Sequence, residues 1–131
     1  MTTAKYNFLI ADDIIMNRFL LREIVSEIAH QIYEAGNGRE AVKLLQENAI
    51  DIVLMDIEMP EMNGVETTQY IRSKMEYPLS RVPVIALTAH NPADFFKSYQ
   101  NAGFDQLITK PYSIDKIMRV ITSLNDLPKS R

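Results

Sequence analysis

The stretch that decides the fold of this chain is Ile52-Val53-Leu54-Met55-Asp56-Ile57-Glu58-Met59-Pro60. Its first four residues are apolar, and a short apolar run preceded by Asp51 and closed by Pro60 is typical of a strand buried on both faces of a parallel sheet. Asp56 then stands at the carboxyl end of the strand, which is the edge where open α/β sheets bind ligands. A carboxylate in such a place is costly to desolvate unless a cation accompanies it. Asp56 is therefore the first candidate functional residue.

The bulk properties of the chain are those of a single globular domain. Its 131 residues are 47% hydrophobic and 24% charged, which is ordinary for such a domain. A net charge of −3 gives no electrostatic reason to expect a nucleic acid or an anionic membrane as partner. Without cysteine there is no disulfide, thiolate zinc site or thiol nucleophile. We expect one domain over residues 1–124 and a flexible tail or linker stump over 125–131.

The cellular location is predicted from the amino-terminal residues and from the lengths of the apolar runs. Residues 1–11 lack the apolar core and cleavage site of a signal peptide. No apolar run approaches the ~20 residues that a membrane span needs. A cytoplasmic protein is the expectation.

Five strands alternate with five helices along the chain. Apolar patterns predict strands over 6–11, 31–35, 51–55, 84–87 and 106–109. Helices are predicted over 14–29, after the Gly36-Asn37-Gly38 turn, over 65–75, from Pro92 to Gly103, and over 113–124. Strict alternation indicates an α/β fold with a parallel sheet. Because crossovers are right-handed, the natural architecture is the doubly wound, flavodoxin-like strand order 2-1-3-4-5 with helices on both faces.

Helix ends and inner faces follow from the same patterns. Asp13 is placed to cap the first helix, and Asn91 ahead of Pro92 is placed to cap the fourth. The first helix has apolar residues at helical spacing, namely Ile14, Ile15, Phe19, Leu20, Ile24, Val25 and Ile28. The last helix is predicted to bury Ile114, Ile117, Met118, Ile121 and Leu124.

Polar residues at the strand ends converge in this topology. They are Asp12 and Asp13 after the first strand, Asp56 after the third, Thr88 after the fourth and Lys110 after the fifth. Three adjacent carboxylates would raise one another's pKa, and a hard divalent cation removes that repulsion. Oxygen ligands beside a phosphate favour Mg²⁺. A lysine and a hydroxyl facing the same point suit a phosphoryl group.

The chemistry indicated is phosphoryl transfer to a carboxylate. Asp56 is the best nucleophile because its strand lies between the other strand ends. Attack of a carboxylate on phosphorus gives an aspartyl phosphate, a known form of covalent catalysis. The neighbouring groups would neutralise charge on the equatorial oxygens of the transition state.

Together these residues resemble the receiver domain of two-component response regulators. The resemblance extends over about residues 6–124 and rests on motifs in the family's order and spacing, namely Asp12-Asp13, Asp56 with Met59-Pro60 and Gly64, Thr88-Ala89, and Lys110-Pro111. The segments around Asp56 and Thr88 look like receivers of hybrid histidine kinases or phosphorelays. The resemblance implies a signalling switch that catalyses only its own phosphorylation and dephosphorylation.

The resemblance also implies a role for each site residue. Asp56 would accept phosphate from a phosphohistidine on a histidine kinase or a phosphotransfer protein. Mg²⁺ would be held by Asp13, Asp56 and the backbone carbonyl of Glu58, with Asp12 acting through water. The phosphoryl group would be bound by Lys110, by Thr88 and by the backbone N–H of Ala89. The Lys110–Pro111 bond would be cis.

One position departs from the family pattern. Three residues before the lysine the family usually has Tyr or Phe, which turns inward as the threonine, here Thr88, moves toward the phosphate. This chain has Leu107 there. Phosphorylation would then be read out differently or more weakly by a downstream partner on the face of the fourth helix, fifth strand and fifth helix, with Phe104, Tyr112 or Tyr99 as substitutes.

Two other functions remain to be weighed. A phosphatase of the haloacid dehalogenase type also uses an aspartate after a strand, but it requires a second aspartate two residues on, where this chain has Glu58, and generally a longer chain with a cap. The other alternative is a receiver-fold interaction module that works without phosphorylation. Mg²⁺ binding without phosphoryl acceptance would favour that module.

Overall fold

The computed structural model describes residues 5–89 and 91–124, apart from the side chains of Pro92 and Phe96. The tail expected over 125–131 lies outside these residues. The strands are β1 (Tyr6–Ala11), β2 (Ala29–Ala35), β3 (Ile52–Asp56), β4 (Val84–Thr88) and β5 (Gln106–Thr109). The helices are α1 (Ile15–Val25), α2 (Gly38–Glu47), α3 (Gly64–Lys74), α4 (Pro92–Tyr99) and α5 (Ile114–Thr122), with a 3₁₀ turn at Leu79–Arg81. Among these helices, none has the length and apolarity needed to cross a membrane.

The strands form one parallel sheet in the order β2-β1-β3-β4-β5. The predicted fold class and strand order are thus confirmed. Pairing aligns the carboxyl ends of the strands, with Ala11 opposite Met55, Asp56 opposite Leu87, and Thr88 opposite Thr109. Residues that end or follow these strands therefore share one edge of the sheet.

Each face of the sheet is covered by helices, so both faces of the central strands are buried. On one face α1 and α5 pack on alternate strand residues such as Ile10, Leu54 and Leu87. On the other, α2 and α3 pack on the intervening residues, including Leu9 and Val53. A smaller cluster joins α4 to Ile57 and Ala86 through Phe95. Every residue of β3 is buried, as its apolar run predicted.

The beginning of α1 differs from the prediction. Asp13 is not the N-cap; Ile14 occupies that position and its side chain makes no capping hydrogen bond. The carboxylate that serves the turn is the preceding one, because Asp12 Oδ1 accepts a hydrogen bond from the Ile14 N–H at 2.9 Å. Asp13 is consequently exposed at the end of β1, with its carboxylate available for other partners.

Two helices end four residues before their predicted ends. The first ends at Val25 rather than Ala29, because the chain turns there, with the Ile28 N–H donating to Val25 O, and Ala29 already belongs to β2. Helix α4 ends at Tyr99, before Gly103, which has a φ of +102°. Its predicted cap is confirmed, since Asn91 accepts a hydrogen bond from the Asp94 N–H at 3.0 Å.

The apolar residues of two helices are buried only in part. In α1, Leu21 and Val25 are buried, whereas Ile14, Ile15, Phe19 and Leu20 are 46–69% exposed. In α5, Ile117 and Ile121 are buried as predicted. The prediction for Ile114 is wrong, since its side chain is 47% exposed in the first turn of the helix, ahead of the buried Ile117.

Arg72 of α3 fixes the amino ends of β4 and β5. Its guanidinium donates to the backbone carbonyls of Gly103, Ser80 and Val82 at 2.9, 3.0 and 2.7 Å. It also donates to Asp105 Oδ2 at 2.8 Å, and that oxygen accepts the Val84 N–H. Because this guanidinium is half-buried, it is stable only when its donors are satisfied in this way.

We expect Arg72→Met to lower the free energy of unfolding by about 2–3 kcal/mol, because it leaves several partly buried carbonyls without a donor. Urea denaturation at neutral pH measures the loss. Arg39→Met, which changes an exposed arginine on α2, is the matched control and should change stability by less than about 0.5 kcal/mol. Equal stability of the two variants would contradict the role of Arg72.

Candidate functional site

Three carboxylates meet at the carboxyl edge of the sheet. β1 ends at Ala11 and is followed by Asp12 and Asp13, and β3 ends at Asp56 itself. Each of these carboxylates offers an oxygen that lies within 4.8 Å of those of the other two. Asp12 and Asp56 are buried while Asp13 is exposed. The cluster therefore opens to solvent on the Asp13 side.

The hydrogen bonds of Asp12 leave one oxygen for a ligand. Its Oδ1 accepts from the Ile14 N–H at 2.9 Å and lies 3.5 Å from Asn17 Nδ2. Its Oδ2 is buried and has no hydrogen-bond partner among the described residues. An orphaned carboxylate oxygen inside an all-oxygen donor set fits a hard cation such as Mg²⁺, or a water that the cation binds.

Lys110 and Thr88 stand beside this acidic cluster. The Lys110 N–H donates to Thr88 O at 2.8 Å, which joins the end of β5 to that of β4. Lys110 Nζ lies 3.6 Å from Asp56 Oδ1, an ion pair slightly longer than a hydrogen bond. The Lys110–Pro111 peptide is cis, as the resemblance implied.

The predicted residues line one cavity of about 290 Å³ at this edge. Its lining consists of Asp13, Ile14, Asp56, Ile57, Glu58, Leu87, Thr88, Ala89 and Lys110. The structure thus brings together every residue predicted for phosphoryl and metal binding, with Asp12 directly behind in the carboxylate cluster. Such a cavity has room for a phosphoryl group and a hydrated cation.

Burial and like charge act together on Asp56. They raise the pKa of Asp56 from 3.8 to about 6, with burial as the largest cause and the charge of Asp12 as the next. Lys110 and a hydrogen bond from the Glu58 backbone N–H oppose the rise, and Asp13 adds to it. A single lysine therefore does not balance the site, and a divalent cation would.

Gly64 holds the loop after Asp56 close to the strand end. A Cβ at this position would collide with the carbonyl oxygen of Asp56 and would lie 2.9 Å from Ile57 Cα. The Gly64 N–H donates to Ile57 O at 2.8 Å. Asn63 and Glu66 form a capping box that starts α3 at this point. The sequence shows this glycine as part of a motif. Only the structure shows the reason, which is that the backbone of Asp56 occupies the space that a side chain at position 64 would need.

Leu107 does not reach the cavity. It is half-buried opposite Ala86 and packs with Ile57 and Phe95. Two of its suggested aromatic substitutes join this packing, since the rings of Tyr99 and Phe104 lie 5.3 and 5.6 Å from that of Phe95.

Tyr112, the third suggested substitute, lies beside the site lysine. The centroid of its ring is 6.0 Å from Lys110 Nζ. Its buried hydroxyl has no partner among the described residues. Burial, followed by the charges of Asp12 and Asp56, raises the pKa of Tyr112 well above its usual range.

An exposed apolar surface borders the cavity, which sequence reasoning missed. It is formed by Ile14, Ile15, Met16, Phe19 and Leu20, all 46–70% exposed, and is called the α1 patch below. Ile14 also lines the cavity, so the patch and the cavity are continuous. The sequence feature that could have predicted this patch is the run Ile14-Ile15-Met16. Three consecutive apolar residues cannot all face one side of a helix, so at least one of them is exposed.

Comparisons with known proteins give a consistent result. Residues 8–122 match the family model described as the response regulator receiver domain. The chain is 34% identical over 114 residues to sensor protein GacS of Pseudomonas syringae pv. syringae, a match that covers 86% of this chain but 13% of that protein. It is 31% identical over 115 residues to the polar-differentiation response regulator DivK of Brucella anthropi, covering 88% of this chain and 92% of that protein.

The fold has close structural neighbours. One is the receiver domain of a sensor histidine kinase from Pseudomonas aeruginosa PAO1, with a TM-score of 0.79 and 24% sequence identity, covering 91% of this chain and 96% of that one. That structure has a magnesium ion coordinated in its active-site cleft.

The raised pKa of Asp56 predicts a stability difference that depends on pH. Ionisation costs more in the folded chain than in the unfolded one, so metal-free wild type loses stability as the pH rises from about 4 to 6. Asp56→Asn removes this cost, and we expect it to raise the free energy of unfolding by about 1–3 kcal/mol at pH 7. The gain should shrink as the pH falls and vanish below the ordinary pKa of 3.8, where Asp56 is protonated in both the folded and the unfolded chain.

Urea denaturation in EDTA at several pH values measures this difference. Asp115→Asn, at an exposed carboxylate on α5, is the matched control. A gain for Asp56→Asn that stayed constant between pH 4 and 7 would show that the charge of Asp56 is not its cause.

Proposed function

The chain belongs to the response regulator receiver domain family and is a receiver of two-component signal transduction. On this premise we propose that Asp56 is the residue that accepts the phosphoryl group. The observation that supports this assignment is the cavity in which Asp56, one of three clustered carboxylates, meets Lys110 and Thr88. Asp56 is the carboxylate of the cluster that lies both at the end of a central strand and within 3.6 Å of the lysine ammonium.

The reaction follows from this geometry. One carboxylate oxygen of Asp56 forms a bond to phosphorus while the bond from phosphorus to the imidazole nitrogen of a phosphohistidine breaks, and the electron pair of that bond stays with the imidazole. Lys110 Nζ lies 3.6 Å from Asp56 Oδ1, which is close enough for it to contact an oxygen of a phosphoryl group on Asp56. Thr88 and the Ala89 N–H line the same cavity and would hold further oxygens.

Mg²⁺ is the cofactor that the site residues fit. We propose Asp13, Asp56 and the carbonyl of Glu58 as its ligands, with Asp12 contributing through water from its unpartnered Oδ2. When bound, the ion would neutralise charge on the carboxylates and the phosphoryl group. The magnesium in the P. aeruginosa receiver supports this choice. The chemistry acts on Asp56 of the chain itself, so a receiver is a signalling domain rather than a metabolic enzyme.

The partners proposed are a phosphohistidine donor and a downstream protein. The donor would be a histidine kinase or a histidine phosphotransfer protein, a choice supported by the relatives, which are a sensor protein and a response regulator. The chain matches only 13% of GacS but 92% of DivK, and so both a hybrid kinase and a stand-alone regulator fit. Such donors obtain their phosphate from ATP, and we therefore propose a cytoplasmic location.

We place the donor on the α1 patch. A histidine that transfers its phosphoryl group must come within bonding distance of that group at Asp56, so the donor covers the rim of the cavity. Ile14 belongs to both the rim and the patch. The adjoining Ile15, Met16, Phe19 and Leu20 offer exposed apolar side chains that a protein donor would cover.

The downstream partner is assigned to the face of α4, β5 and α5. β5 is an edge strand of the sheet, and Leu107 packs with Ile57, Ala86 and Phe95. Ala86 and Thr88 lie two residues apart on β4, and so they point to the same side. A shift of Thr88 toward the phosphate would therefore change this packing. Leu107 would move in response, in place of the Tyr or Phe that the family usually has at this position.

Intact mass after incubation with acetyl phosphate tests the phosphoacceptor assignment. We expect wild type with Mg²⁺ to gain one phosphoryl group, and Asp56→Asn, or wild type in EDTA, to gain none, because nucleophile or cation is missing. Asp115→Asn is the matched control and should be phosphorylated like wild type.

Rapid hydrolysis is distinguished from inertness by a titration with beryllofluoride, a stable mimic of the phosphoryl group. Addition of phosphate to Asp56→Asn would contradict the assignment of the nucleophile. If wild type with Mg²⁺ neither reacts with acetyl phosphate nor binds beryllofluoride, the phosphoacceptor proposal is wrong. The remaining function is then the interaction module that works without phosphorylation.

The donor site is tested with the double variant Phe19→Gln, Leu20→Gln, which keeps helix propensity. Transfer from a phosphorylated histidine phosphotransfer protein, selected from a panel for activity toward wild type, should slow at least tenfold, since exposed anchors contribute about 1–2 kcal/mol or more to an interface. Phosphorylation by acetyl phosphate should not change.

Tyr77→Gln is the control for loss of an exposed aromatic residue, since Tyr77 is 81% exposed and lies outside the α1 patch. If the rate of phosphoryl transfer to the double variant equals that to wild type, the donor does not bind the α1 patch. If the double variant is also phosphorylated more slowly by acetyl phosphate, the substitutions have altered the cavity rather than donor binding.

A further inference from the structure

The lysine of the site is carried by a short loop, and its position depends on that loop. Lys110 follows β5 directly and precedes Pro111, and α5 begins four residues later, at Ile114. On one side the loop is tied to the sheet by the hydrogen bond from the Lys110 N–H to Thr88 O at 2.8 Å. A four-carbon side chain amplifies any rotation of its backbone, so one tie does not fix the ammonium.

A second lysine supplies the other tie. Lys116 in the first turn of α5 extends back, and its Nζ donates to Thr109 O at 3.2 Å and to Pro111 O at 3.0 Å. These carbonyls belong to the residues immediately before and after Lys110. Hydrogen bonds from an ammonium are about twice as strong as neutral ones. The ammonium thus bridges the backbone on both sides of the site lysine.

Helix stability does not explain a lysine at this position. A cation in the first turn of a helix is unfavourable because that end of the helix dipole is positive. The helix already has its cap, since the Lys116 N–H donates to Ser113 Oγ at 3.2 Å. Among the ion pairs of the described residues, none includes Lys116. Its ammonium instead binds the two loop carbonyls, and these hydrogen bonds offset the unfavourable dipole.

We propose that Lys116 is a positioning residue, which holds the loop so that the ammonium of Lys110 stays directed at the phosphoryl site. This inference rests on the proposed function and deepens it. Lys116 does not touch the reacting atoms; it acts on the rate through Lys110. The proposed ligands of the cation, Asp13, Asp56 and the carbonyl of Glu58, belong to other loops, so Lys116 would not contribute to the affinity for it.

The test uses acetyl phosphate, which needs no donor surface, and saturating Mg²⁺. Lys116→Met keeps the aliphatic stem and removes the donors. We expect it to slow phosphorylation about tenfold, because small misplacements of a positioned group cost between about ten- and a hundredfold in rate. The dissociation constant for Mg²⁺ alone should stay within about twofold of wild type. Lys116→Arg retains donors for both carbonyls and should restore most of the rate.

A double-mutant cycle separates positioning from a general loss of structure. In a Lys110→Met background, Lys116→Met should change the residual rate by less than about twofold, because the group that it positions is gone. Lys43→Met removes a lysine of α2 that lies far from the loop and serves as the control, with an expected wild-type rate. Circular dichroism at the assay temperature checks that each variant is folded, and Lys116→Gln replaces Lys116→Met if the latter is not.

Two results would overturn the inference. One is a wild-type rate for Lys116→Met; the other is an equal loss of rate whether or not Lys110 is present, which is what a merely structural role predicts. A wild-type rate for Lys110→Met would remove the role of Lys110 itself, and the inference with it. Failure of wild type both to be phosphorylated and to bind beryllofluoride would instead refute the proposed function, so the two failures are distinguishable.

Discussion

The crowding of three carboxylates at one edge of a parallel sheet is the constraint on which the rest of this site depends. Parallel pairing in register brings the ends of β1 and β3 together, and with them Asp12, Asp13 and Asp56. Two of the three are buried, so their charges are poorly solvated and repel one another. The cluster is stable in its charged form only with cations nearby, which explains why Lys110 lies beside it and why the site residues fit a divalent ion.

The strands bring the residues together, but the loops set their positions. Gly64 lets the loop after β3 lie against the carbonyl of Asp56, and the capping box of α3 fixes where that loop ends. On the opposite side, backbone and ammonium hydrogen bonds hold the loop that carries Lys110. Phosphoryl transfer depends mostly on positioning and electrostatics, so these contacts would affect the rate of the proposed transfer although their residues do not touch the phosphoryl group.

The geometry separates the two protein contacts of the proposed switch. The α1 patch adjoins the cavity through Ile14, on the side where a donor must approach Asp56. The packing around Phe95 lies on the other side of the sheet from α1. Because β4 connects the cavity to that packing through Thr88 and Ala86, a signal received at one surface has a short route to the other.

The sequence by itself determined the strand order and the members of the site. Alternating local patterns predict the elements, and parallel strands place the residues that follow them at one edge, so the order of the elements alone brings Asp56, Thr88 and Lys110 together. Tertiary structure alone decided that Asp12 rather than Asp13 serves the first turn of α1, that the α1 patch is exposed, and that Lys116 reaches back to the loop of Lys110. The physical reason is that periodicity shows which residues share a helix face, whereas the docking of the helix on the sheet decides which of them meet the core, the solvent or a neighbouring loop.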